Sequence, residues 1–123
     1  MKVFVYYNLH KKCFSIKALE GEKKGRVVAH REYLDIIGVN FKVSENGRQR
    51  VIKERRKNVH AGVIGEWNDS SIPRGTLLHN LEGKEVTYNP YKYDSFVWID
   101  NDGNPERISI AKSAYLVDKK IFI

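Results

Sequence analysis

The chain has 123 residues, 41% of them hydrophobic and 30% charged, with one cysteine and a formal net charge of +7. That length suits a single domain, 1–123, able to bury a core without staples. The balance excludes a disordered chain, the lone Cys13 excludes an intrachain disulfide or thiolate metal cluster, and no apolar run nears the roughly 20 residues that span a bilayer.

The elements follow in chain order. Lys2–Asn8 alternates and is rich in β-formers, so it reads as a strand, and Lys12–Leu19 as a second. The link Leu9-His10-Lys11 suits a hairpin. A glycine-bracketed turn, 21–25, leads to strands at Arg26–Tyr33 and Ile36–Val43. Ser44 is a good helix N-cap, with Glu45 in the first turn where negative charge is favoured. A basic helix is therefore expected near residues 45–57, weakened by Gly47 and stopped by Asn58. Val59–Trp67 returns to strand, 68–75 is a loop and 76–80 is ambiguous. Strands are expected at Glu82–Tyr88 and Ser95–Asp100, with a tyrosine-rich turn between them. Asn101-Asp-Gly-Asn104 suits a hairpin, and it lacks the glycine position and the terminal Glu of a calcium loop. Short strands at Arg107–Ile110, Tyr115–Val117 and Lys120–Ile123 finish the chain. The fold class is α+β: an antiparallel-rich sheet of about five to eight short strands with one helix.

Charge is unevenly spread. Residues 1–57 carry 15 Lys/Arg against 6 Asp/Glu, and residues 58–123 carry 7 against 9. Such asymmetry suggests a positive face for an anion: nucleic acid, a nucleotide or an acidic partner protein. It is densest in RQRVIKERRKNVHAG, residues 48–62. On a helical wheel Arg48, Val51, Ile52 and Arg55 form one stripe, and Arg50, Lys53 and Lys57 lie opposite. The outward row, with Arg56, is the candidate phosphate-binding set, unless it is simply a solvated face. The inward pair, Arg48 and Arg55, must meet an internal partner or line a pocket, because an unpaired buried charge is too costly. Pairing inside the fold is the leading expectation. One helix without zinc ligands does not suit sequence-specific groove reading.

Tyr88-Asn-Pro-Tyr91-Lys-Tyr93 interleaves aromatics with a cation. That pattern suits base stacking beside a phosphate contact, or a turn whose tyrosines cover the core. Arg48, Arg55, His60, Tyr88, Tyr91 and Tyr93 are the pocket candidates. His10, His30, His60 and His79 lack metal-ligand spacing, so no metal is expected. His30 and His60 beside arginines could make a metal-independent ribonuclease, if they lay close together. No P-loop, Rossmann glycine pattern or nucleophile elbow occurs, so no cofactor is expected.

VYYNLHKKCFSIKALEG, GRVVAH, FKVSENGRQRVIKERRKNVHAGVIG and VTYNPYKYDSFV together resemble a family of small tailed-bacteriophage proteins. The resemblance spans most of the chain and is most specific in RQRVIKERRKNVHAG. It carries no catalytic residues over. It implies a phage protein of the host bacterial cytoplasm, in host takeover or in countering host defences. The charge pattern then favours a non-catalytic binder of nucleic acid. An oligomeric sponge for a small nucleotide signal and the His30/His60 ribonuclease stand as alternatives.

Overall fold

The computed structural model describes residues 1–68 and 84–123. The expected loop at 69–75, the ambiguous 76–80 with His79, and the start of the Glu82–Tyr88 strand lie outside them. In chain order the elements are β1 (Lys2–Asn8), β2 (Cys13–Ala18), β3 (Val27–Arg31), β4 (Tyr33–Val43), α1 (Glu45–Glu54), β5 (Ala61–Glu66), β6 (Glu85–Thr87), β7 (Val97–Ile99), β8 (Pro105–Arg107), β9 (Ile110–Val117) and β10 (Lys120–Phe122). All ten strands join one sheet in the order β3-β2-β1-β5-β4-β9-β10-β6-β7-β8, and the pairings are antiparallel. The sheet is therefore wider than the five to eight strands expected. Three of the strands are only three residues long: β6 and β7 fall inside the stretches expected as strands at Glu82–Tyr88 and Ser95–Asp100, whereas β8 begins at Pro105, ahead of the strand expected at Arg107–Ile110.

Alternation along the long central strands builds the core. Val3 and Val5 of β1, Phe14 and Ile16 of β2, Leu34 and Ile36 of β4, Val63 of β5, and Ala114 and Leu116 of β9 point to one face and are almost wholly buried. Between Ile37 and Asn40 the β4/β5 register shifts, and Gly38 takes φ +64° there. This bulge turns Val39 and Phe41 inward with the core set. Local polar groups close the turns. Asn8 Oδ1 accepts the His10 and Lys11 amides at 3.0 Å each, and Asp100 Oδ1 accepts those of Asp102 and Asn104. The second set, with Gly103 at φ +83°, makes Asp100–Asn104 the β7–β8 hairpin.

The helix is shorter than expected. Ser44 Oγ accepts the Gly47 amide at 3.3 Å, and Val51 is its buried residue. It ends at Glu54 because Arg55 turns left-handed, at φ 53°, and donates its amide to the Val51 carbonyl. Chain geometry explains the early stop. Val43 pairs with Ala61, and the Ser44 amide bonds the His60 carbonyl at 2.7 Å, so the helix is an excursion that must return to its start. A helix ending at Glu54 advances about 15 Å, and residues 55–60 can span roughly 20 Å back. A helix ending at Lys57 would advance about 20 Å and leave three residues reaching roughly 10 Å.

Candidate nucleic-acid interface

The early stop reorganises the basic run. Arg50 and Lys53 lie on the helix, Arg55 is its left-handed cap, and Arg56 and Lys57 follow in the return segment. All five side chains are exposed, and none has an ion-pair partner among the described residues. Glu54 is the only acid among residues 50–57. Lys53 in the last turn and Arg55 at the cap complement the partial negative charge of the helix C-terminus, which steadies them without neutralising them. Arg55 corrects the sequence expectation: it does not face inward beside Arg48, because the wheel assumed a helix that has already ended.

Arg48 does face inward. Its side chain is 16% exposed. Nε donates to the carbonyls of Pro90 at 3.0 Å and Tyr93 at 2.9 Å, and Nη1 donates to Glu45 Oε1 at 3.0 Å. Its demand for a partner is met inside the fold. The consequence is mechanical: one guanidinium joins α1 to the 89–93 turn, which Asn89 closes by accepting the Lys92 and Tyr93 amides on its carbonyl and the Tyr91 amide on Oδ1. Tyr91 and Lys92 are exposed at the tip of that turn, whereas Tyr88 and Tyr93 are half-buried. On the outer surface of the turn the expected stacking platform therefore shrinks to Tyr91, which is 61% exposed.

Tyr88 serves the interior. Its ring stands in a chain of aromatic contacts with His60, Phe96 and, beyond it, Phe41. His60 Nδ1 lies 2.8 Å from the Asn58 carbonyl, which only accepts, so Nδ1 carries the proton. The Tyr88 hydroxyl then donates to Nε2 at 2.7 Å. Burial pushes the Tyr88 hydroxyl up to about 12, with the Arg48 cation opposing and Glu45 and Asp94 reinforcing. A phenol held so firmly protonated suits a fixed donor and not a base.

His30 and His60 are not brought together. His30 sits on β3 opposite Ser15, and β2 and β1 lie between β3 and β5, a separation on the order of 14 Å along the sheet. Asn8 Nδ2 donates to the Ser15 hydroxyl at 3.1 Å, and that hydroxyl shares a hydrogen bond with His30 Nδ1 at 3.0 Å. Each histidine is held by its own neighbours, which leaves no shared position for a scissile phosphate.

Sequence reasoning missed a groove of about 290 Å³ between the tyrosine turn and the β7–β8 hairpin. Arg48, Lys92 and Arg107 bring three cations to it, and Asp94 one carboxylate. Asp94 holds Arg107 Nη2, at 3.0 Å from Oδ1. Ser95 also lines the groove, and its buried Oγ has no hydrogen-bond partner among the described residues. Lys92 was visible within the tyrosine stretch. Arg107 and Ser95 carried no local signal, because only the β7–β8 pairing, with Val97 opposite Arg107, places them beside Arg48.

Among the described residues, no helix is long and apolar enough to cross a membrane, and no group of three or more His, Cys, Asp or Glu is placed to hold a metal ion. No solved structure matches the chain. The gene 82 protein of Mycobacterium phage L5 is 40% identical to it over 103 residues, an alignment covering 79% of this chain and 77% of that protein. The family described as the Mycobacterium phage L5 gene 82 protein matches residues 1–123. The chain therefore belongs to the bacteriophage family of the Mycobacterium phage L5 gene 82 protein.

Proposed function

We propose that this protein is a non-catalytic phage accessory protein that binds nucleic acid through its phosphates, inside the infected bacterium. The observation carrying this reading is the run of five exposed cations, Arg50, Lys53, Arg55, Arg56 and Lys57, with no ion-pair partner among the described residues. Cations held unpaired on one short segment repel one another, and a polyanion relieves that repulsion by releasing counterions. The Arg48 link adds Tyr91 and Lys92 to the same body as the row. A cation beside an exposed aromatic ring can hold a backbone phosphate while the ring takes a base. Contacts of this kind position a strand without reading its sequence. Membership in a phage family supports a role in host takeover or in countering host defences.

The test is fluorescence anisotropy with labelled single-stranded DNA and RNA at low salt. Wild-type protein is expected to bind both with little sequence preference. The variant Arg55→Ala/Arg56→Ala/Lys57→Ala, altered only at exposed positions, is expected to bind markedly more weakly. Absence of wild-type binding at low salt would end the reading.

A further inference from the structure

We infer that the groove between the tyrosine turn and the β7–β8 hairpin is a site for one nucleotide unit, with its phosphate on Arg107 and Lys92 and its base against Tyr93 and Pro105. The inference deepens the nucleic-acid reading and rests on it for the strand that would enter the groove.

Four observations support it. The groove, at about 290 Å³, is close to the lower bound of ligand clefts, roughly 300 Å³, a size that suits one nucleotide unit. Its walls are chemically divided. Arg48, Lys92 and Arg107 supply charge, while Val97, Pro105 and Tyr93 are the less polar residues of the lining. A nucleotide has that same division, an anionic phosphate joined to a flat base. The cations also retain donors. Asp94 occupies only Nη2 of Arg107, and Arg48 commits Nε and Nη1 to protein acceptors. Nη1 and Nε of Arg107 and Nη2 of Arg48 therefore have no partner among the described residues. Asp94 holds Arg107 and Glu45 holds Arg48, so the three cations keep an excess of one positive charge over their two carboxylates.

The fourth observation is Ser95. Its Oγ is withdrawn from solvent and lacks a partner among the described residues, and an unmet buried hydroxyl is costly. Ser95 lines the groove, so its unmet hydroxyl lies at the wall that a bound phosphate or sugar oxygen would face.

The nucleotide could arrive free or as one unit of a strand, and the chemistry is shared. The experiment is amide NMR on the full chain, titrated with adenosine monophosphate and separately with an oligodeoxyadenylate of about twelve nucleotides. Both probes are expected to move the amides of residues 92–95 and 106–107. Lys92→Ala/Arg107→Ala is expected to weaken this binding at least about tenfold, the loss of charge-assisted hydrogen bonds. Both side chains are exposed, and Lys92→Ala alone, in the turn, serves should the double variant misfold. Shifts with the monophosphate assign a free nucleotide as sufficient, whereas shifts with the oligomer alone assign a strand unit, and either keeps the inference. Groove amides that stay still with both probes overturn it, as does wild-type affinity in a folded groove variant. If the oligomer moves only residues 50–57, the groove inference fails and the nucleic-acid reading survives. If the oligomer binds nowhere, the nucleic-acid reading itself fails.

Discussion

Gly47 is an unusual glycine. A glycine inside a helix normally weakens it by about 1 kcal/mol relative to alanine, so Gly47→Ala would be a routine stabilising change. Here a Cβ at position 47 would lie 2.5 Å from the Cβ of His60. His60 cannot retreat, because its ring is fixed between the Asn58 carbonyl and the Tyr88 hydroxyl. Gly47→Ala is therefore expected to destabilise the protein by about 1–3 kcal/mol, the scale of overpacking, as read by denaturant unfolding. A neutral or stabilising result would contradict the close approach. Asp35 offers the complementary case. Its Oδ1 is buried without a hydrogen-bond partner among the described residues, and burial raises the carboxyl above its ordinary 3.8. An acid raised on folding binds more protons folded than unfolded. Its contribution is full below 3.8 and is lost as pH climbs through the folded value, so the ionised form is a burden at neutral pH. Asp35→Asn is expected to raise the thermal midpoint at pH 7, and the gain should fade as pH drops through the raised folded value and be gone below 3.8. A gain independent of pH would contradict the titration argument.

At the scale of elements, α1 and the tyrosine turn act as one unit through Arg48. Replacing Arg48 with Met keeps the apolar stem and removes the donors to the Pro90 and Tyr93 carbonyls. The expected loss is about 2–3 kcal/mol, with faster hydrogen exchange across residues 89–93. Arg55→Met, at an exposed cap, should stay within about 0.5 kcal/mol, the usual range for surface positions. Equal effects for the two would contradict their division into an inward and an outward arginine. That division shows how far local pattern carries. Lys2–Asn8 was legible to the residue because seven alternating positions declare a half-buried strand. The helix start was legible from Ser44 and Glu45. The helix end was not, because it is set by the pairing of Val43 with Ala61, a loop-closure constraint that no local residue encodes.

Across the whole molecule, the charge asymmetry between the two halves of the sequence survives folding in one place above all, the exposed run from Arg50 to Lys57. The candidate site divided along the same line. Its outward cations were legible because solvation leaves them where the chain puts them, whereas the groove was not, because Arg48, Ser95 and Arg107 meet only through tertiary contacts. Nucleic-acid binding through the exposed row makes a quantitative demand. Each phosphate contact on a single strand contributes about 0.7 to the slope of log affinity against log salt. The decisive measurement is that slope for a single-stranded oligonucleotide, taken for wild-type protein and for Arg55→Ala/Arg56→Ala/Lys57→Ala. The account predicts a steep wild-type slope that becomes shallower by about 2 in the triple variant. An unchanged slope, or no wild-type binding at low salt, would contradict it.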